Sequence, residues 1–284
     1  MKSGDRLLSV LWLFSPERPV LEVEEIARTL GISLSTAYRD VSRLGEAGFL
    51  EPIGSLGYAL GPAIIELDRN IRLADPLVQA ARAVQQRLLA DVDPAATVLL
   101  CRLYRNQVMC VAQSVGRAAH TAPSYERGRL MPMLWGAPAK AILAHLPSRA
   151  AERLWEAESQ GGQHEPSDWK LFREQLAKIR KAGIVVSHAE VQPDVVGVAA
   201  CIFDGQNKPI GSICAVLPAE VATPPAIARA SALTRASADE ITATLAEREA
   251  SHQSQRSRGA RAAAPAGKSA EAKAPDLNSA DPVG

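Results

Sequence analysis

The chain has 284 residues, 47% hydrophobic and 22% charged, with a formal net charge of +1. That is length enough for about two domains with buried cores. Near-neutrality excludes bulk basicity as a source of nucleic-acid affinity, and no run of about eighteen uncharged apolar residues is present to cross a bilayer.

The apolar residues 7–14 are too short to span a membrane and no small-residue cleavage site follows them, so a soluble, cytoplasmic protein without a membrane partner is expected. Leu7, Val10, Leu11 and Phe14 share one helical face, which predicts a helix over 5–14 ended by Ser15-Pro16. A second helix is predicted over 23–30 with Ile26, Ala27 and Leu30 inward, ended by Gly31 in the left-handed conformation. Ser33 then caps a third helix reaching about residue 47, with Leu34, Ala37, Val41 and Leu44 inward and Gly48 as its stop. Residues 49–52 and 58–60 read as a short hairpin, and residues 62–73 as a further helix with proline in its first turn, closing near Asp75-Pro76.

After Pro76 helices and strands alternate. Helices are predicted over 77–90, 138–146, 151–158, 169–182 and 227–249, and strands over 97–103, 108–115, 184–191, 195–203 and 210–217, with a polar loop at 159–167. Such a set reads as a sheet flanked by helices, able to hold a pocket on one sheet face. Residues 251–284 are rich in Ala, Ser, Pro and Gly, hold few large aliphatic residues, and are expected to be a disordered tail. Cys101, Cys110, Cys201 and Cys214 form no CxxC pair and lie in apolar, strand-like runs, the pattern of buried free thiols. His120 and His188 have no partners at metal-ligand spacing, so neither metal nor cofactor is expected.

Residues 24–39 carry the strongest functional signal. Two helices meet there at a sharp turn: Ala27 is small at the crossing, Gly31 takes the turn, Ile32 plugs the core and Ser33 caps the next helix. This is the layout of a helix-turn-helix, whose second helix reads base edges in the major groove near its N-terminal end. The candidate DNA contacts are Ser33, Ser35, Thr36, Tyr38, Arg39 and Arg43, with Ser55 and Tyr58 of the hairpin wing against the phosphate backbone. The first 62 residues hold six Lys/Arg against eight Asp/Glu, so affinity has to come from local arrangement; Asp40 and Glu46 on the reading helix are unfavourable near phosphate, so their solvent-facing placement matters.

The run from Leu7 to Leu67 resembles the winged-helix domain of the IclR-type transcription regulators. The resemblance rests on Ile26-Ala27-Arg28-Thr29-Leu30-Gly31, Ser35-Thr36-Ala37-Tyr38-Arg39, Glu46-Ala47-Gly48-Phe49-Leu50 and Tyr58-Ala59-Leu60-Gly61-Pro62. It continues through Ala139-Lys140-Ala141, which stands where the family has Gly-Lys-Ala, through residues 176–191, and through the strand around Gly197-Val198-Ala199-Ala200-Cys201. The resemblance implies an α+β protein: a winged helix-turn-helix over 1–62, a linker helix over 63–76, a GAF-like α/β effector-binding domain over 77–250, and the tail over 251–284. It also implies a palindromic double-stranded DNA operator, a small-molecule effector, and a homodimer or dimer of dimers.

Carried over by position, the effector-binding candidates are Trp135, Gly136, Ala137 and Pro138 before the Lys-Ala helix, Ser187 and Gly197 on successive strands, and Cys214 and Val216 on the last. Pro138, Gly197, Cys214 and Val216 stand where the family often has polar groups, which favours a less polar ligand, such as an aromatic acid. Trp135, beside Met131 and Met133, reads equally as core, and Lys140 either as an anion partner or as a solvated charge. The expected function is effector-controlled, sequence-specific transcription regulation, with ligand shifting paired winged helices through the linker against half-sites about 34 Å apart. Two alternatives are a DNA-binding architectural protein whose sensor domain has lost its ligand, and a thiol enzyme, which needs a cysteine activated by a neighbouring base.

Overall fold

The computed structural model describes residues 3–119, 125–159 and 168–262. The N-terminal unit comprises α1 (Ser3–Leu11), α2 (Val23–Leu30) and α3 (Leu34–Glu46), followed by a hairpin of β1 (Leu50–Pro52) and β2 (Tyr58–Leu60). Gly31 ends α2 at φ 65°, and the Ser33 side chain accepts the Thr36 N–H at the start of α3. Val10, Leu21, Val23, Ile26, Ala27, Ala37, Val41, Leu44 and Leu50 form one small core.

The reading helix differs from expectation at two positions. Leu34, in its first turn, lies beyond the reach of the core and is exposed. Asp40 is fully buried, because 37, 40, 41 and 44 form the i, i+3, i+4, i+7 stripe of α3. Burial of the carboxylate is matched by Arg6 of α1, which donates to both Asp40 oxygens through Nε and Nη2. The remaining acid, Glu46, accepts from Ser42 Oγ one turn back, at 3.0 Å.

The linker helix α4 (Ala63–Ala74) has no buried residue. It meets α5 (Pro76–Val92) at Asp75, whose carboxylate accepts the Leu77 and Val78 N–H groups at 2.9 and 3.1 Å and also pairs with Arg102 at 2.7 Å. Beyond it, β3 (Thr97–Tyr104), β4 (Gln107–Val115), β5 (Leu130–Met131), β6 (Val185–His188), β7 (Val195–Phe203) and β8 (Pro209–Pro218) form one antiparallel sheet in the order β5-β4-β3-β8-β7-β6.

Both faces of this sheet are covered, so its central strands read as unbroken apolar runs. Val98, Leu100, Ala200, Ile202 and Ile213 face α5 and the long helix α9 (Pro224–Ala262). Their period-two neighbours Leu99, Cys101, Ala199 and Cys214 face α6 (Gly136–Leu143), α7 (Ser148–Ser159) and α8 (Trp169–Ala182). All four cysteines are free and buried. The α+β class and the order of elements agree with the sequence reading, the short strand β5 being the element it lacked.

The helix α9 runs on to Ala262, twelve residues into the segment expected as tail. Extending an existing helix adds one hydrogen bond per residue and needs no new nucleus, so a helix can outlast the apolar pattern that started it. The rest of the tail (263–284), most of the polar loop (160–167) and His120 lie outside the described residues.

Candidate functional site

Two surfaces hold the residues singled out above. The first is the outer face of α3. Ser35, Tyr38, Arg39 and Arg43 are exposed on it, and neither arginine pairs with a carboxylate among the described residues. Tyr38 Oη donates to Glu24 Oε1 of α2 at 3.0 Å, a bond that raises the phenol above its usual range. Ser33 and Thr36 are occupied with one another: their hydroxyl oxygens lie 2.8 Å apart, so they brace the helix start instead of reaching outward. On the wing, Ser55 is exposed at the tip, whereas the Tyr58 ring packs on the N-terminal core and its backbone pairs with Leu21. With Asp40 turned inward, the outer face presents guanidinium groups and hydroxyls along most of α3, and Glu46 stands exposed at its far end.

The second surface is a cavity between the start of α6 and the ends of β6, β7 and β8. Gly136, Ala137, Pro138, Ser187, Gly197, Cys214 and Val216 all line it. Trp135 is the candidate left outside: its ring joins the core beneath α6, and its carbonyl accepts from Tyr125 Oη at 2.9 Å. The flanking Met133 is fully buried in the same core. The cavity also takes Leu99, Tyr125, Ala189, Glu190, Val191, Gln192 and Val195, none of which was among the candidates. Leu99 and Tyr125 are distant in sequence and give no local signal. Residues 189–191 were expected as the end of a strand that in fact stops at His188, where Ala189 turns to φ 52°.

Two glycines shape the site. Gly136 has φ 73°, and a Cβ there would lie 2.8 Å from Val191 Cγ2 and 2.9 Å from Tyr125 Oη. At Gly197 a Cβ would meet Ser187 Oγ at 3.1 Å and Ala137 Cβ at 3.2 Å, so the bare backbone keeps the space open. The cavity has a volume of about 40 Å3, room for water-sized guests.

The polar groups at the head of α6 are all engaged. Ala137 N–H donates to Ser187 Oγ at 3.1 Å, Gly136 N–H to Glu190 Oε2 at 3.0 Å, and Lys140 Nζ to Glu190 Oε1 at 2.7 Å. Lys140 is therefore an anion partner, and its anion belongs to the chain. Burial pushes Tyr125 well above its ordinary value and Cys214 up to about 12. A hydrogen bond to Cys110, together with burial, likewise holds Cys101 in the thiol form. No group of three or more metal-ligating side chains that could hold an ion occurs among the described residues, and no helix among them is long and apolar enough to cross a membrane.

One strand runs from the cavity toward the linker and the N-terminal unit. Along β3, Leu99 lines the cavity and Arg102 grips Asp75 at the α4–α5 junction. In the turn after β3, the Arg105 guanidinium lies 4.6 Å from the centre of the Trp12 ring, just beyond α1.

Two family models match the chain in succession. The family described as bacterial transcriptional regulator IclR, C-terminal, matches residues 74–243, and the IclR helix-turn-helix domain matches residues 3–54. The chain is 27% identical to the HTH-type transcriptional regulator KipR of Bacillus subtilis over 211 residues, covering 73% of this chain and 82% of that protein. It is 23% identical to the transcriptional repressor IclR of Escherichia coli over 231 residues, covering 75% of this chain and 78% of that one. An IclR homologue of Microbacterium hydrocarbonoxydans, solved in complex with 4-hydroxybenzoate, superposes with a TM-score of 0.70 at 22% identity, covering 86% and 99% of the two chains.

Proposed function

The chain belongs to the IclR-type transcription regulators, DNA-binding proteins with an effector-binding C-terminal domain, and on that footing we propose how this one divides the work. Residues 1–62 bind the operator, 63–76 link, and 77–250 sense; the chain works in the cytoplasm and catalyses nothing. Ser35, Tyr38, Arg39 and Arg43 read or grip DNA directly, with Ser55 on the backbone. Ser33 and Thr36 act by bracing the helix start, and Tyr58 by holding the wing. The effector is an organic acid with an apolar body, in keeping with Leu99, Pro138, Cys214 and Val216 around the cavity and with the 4-hydroxybenzoate bound by the Microbacterium homologue.

The observation that carries this reading is the continuity of β3, which touches the cavity, the linker junction and, through its turn, the region of the first helix. A ligand that displaces Leu99 thereby acts on the placement of the winged helix. A palindromic operator requires two such helices at fixed spacing. Leu8 and Trp12 near the N-terminus and Ile65, Ile71 and Leu73 of α4 are large, apolar and at least half exposed, which supports a homodimer closed through these surfaces. A thiol enzyme is disfavoured by the burial of every cysteine.

The test is a gel shift with fragments of the protein's own upstream region, repeated across salt concentrations and across aliphatic and aromatic acids. A salt-sensitive, sequence-specific shift that an acid modulates is expected. Absence of any specific shift overturns the DNA-binding assignment, and a specific shift indifferent to every acid favours an architectural protein.

A further inference from the structure

Among the described residues, Glu190 is the one carboxylate that both lines the cavity and touches the head of α6. Its two oxygens take the Gly136 N–H and the Lys140 ammonium, at 3.0 and 2.7 Å. The remaining donor of that helix turn, Ala137 N–H, is taken by Ser187 Oγ. These donors form the feature of the cavity suited to an acid: a cation and a helix N–H converging beside an apolar wall. The chain has filled them with its own side chain.

The segment that supplies Glu190 turns sharply at both ends. Residues 189–194 leave β6 through Ala189 at φ 52° and enter β7 through Asp194 at φ 60°. Neither residue is glycine, so both ends are held in a conformation that side chains disfavour. Ala189, Glu190, Val191 and Gln192 together form one wall of the cavity, whose volume of about 40 Å3 is too small for an aromatic or branched acid. Glu190 is 29% exposed and Lys140 17%. A released Glu190 therefore finds water at the mouth of the cleft, and its two donors pass to the incoming carboxylate. One carboxylate enters as one leaves, and no buried donor is left unpaired.

We propose that Glu190 is a built-in occupant of the carboxylate position and that an effector monocarboxylate binds by exchanging with it, swinging the 189–194 segment outward. Glu190 thereby sets the selectivity of the pocket. An acid must bring enough apolar surface against Leu99, Pro138, Cys214 and Val216 to outcompete a tethered rival, so small acids such as acetate are rejected. This rests on the reading of the cavity as an acid-effector pocket.

Calorimetric titration of the full chain with acetate, benzoate, 4-hydroxybenzoate and phenylacetate tests it, on the wild type, Glu190→Gln, Glu190→Ala and the double variant Glu190→Gln/Lys140→Met, with thermal melts to show that each is folded. Both single variants are expected to bind the larger acids about ten-fold more tightly than the wild type, the scale of one charge-assisted hydrogen bond. The double variant is expected to lose that gain. A purely structural role for Glu190 has the opposite sign, since loosening the wall weakens binding. If the wild type binds an acid and the folded Glu190 variants bind it equally or less well, the exchange is overturned and the acid-effector reading stands. If no chain binds any of the acids, the acid-effector reading falls, and the exchange with it.

Discussion

The reading helix and the sensing pocket treat their charges in opposite ways. On α3 the mid-helix acid is hidden and the bases beside it are left out: Asp40 is buried against Arg6, while Arg39 and Arg43 stand exposed. At α6 the base is half-sheltered and already neutralised, Lys140 by Glu190. A surface that meets a polyanion gains from unpaired cations, whose counterions are released on contact. An enclosed pocket cannot leave a cation or an N–H unpaired without a large desolvation cost, so it holds an internal partner until a ligand replaces it. Near-neutral overall charge thus conceals one site that is open and one that has satisfied itself.

The largest effect is expected where the charges are open. Arg39→Ala combined with Arg43→Ala should weaken operator binding by about a hundred-fold, at roughly 1–3 kcal/mol per lost contact, with the melting temperature unchanged. Fluorescence anisotropy on a labelled operator measures this, and retained affinity would remove α3 as the reading helix. Next, Gly197→Val places side-chain atoms where a Cβ already lies 3.1 Å from Ser187 Oγ. It should reduce the response to an acid effector at least about ten-fold while leaving operator binding without effector intact; a normal response would show that the ligand sits elsewhere.

Asp40→Ala strips the counter-charge from Arg6 and opens a gap in the small N-terminal core. A fall in melting temperature of about 5 °C is expected, whereas Arg39→Ala one residue away should cost almost nothing. Equal losses at the two positions would break the distinction between buried and open charge. The smallest effect comes from the buried thiols. Burial pushes Cys201 and Cys214 up to about 12 from an ordinary 9.0, so the folded state favours the neutral thiol. Their contribution to stability is fully present below about pH 9 and is lost as pH rises from there towards about 12. Urea midpoints measured across that range should decline, and less so in a Cys201→Ser, Cys214→Ser variant.

Local signals made the N-terminal unit legible. Gly31, Ser33 and the apolar stripe of α3 act within a few residues of themselves, and the observed helices follow them closely. Spacing alone put Asp40 on that stripe. Reading it as solvent-facing failed because its partner Arg6 is 34 residues away in sequence. The pocket was legible only in part. Ala137, Ser187, Gly197 and Cys214 could be placed by position, but Trp135 turned into the core behind Gly136, and Leu99 and Tyr125 entered from other elements.

By itself, the sequence determined the order of helices and strands and the turn that builds α3, because both follow from the conformational preferences of residues near one another in the chain. Tertiary structure alone decided which charges are paired. An ion pair depends on atoms brought together from distant segments, as with Arg6 and Asp40 or Lys140 and Glu190. Its strength depends on how much water the surrounding fold excludes, a property that no short stretch of sequence contains.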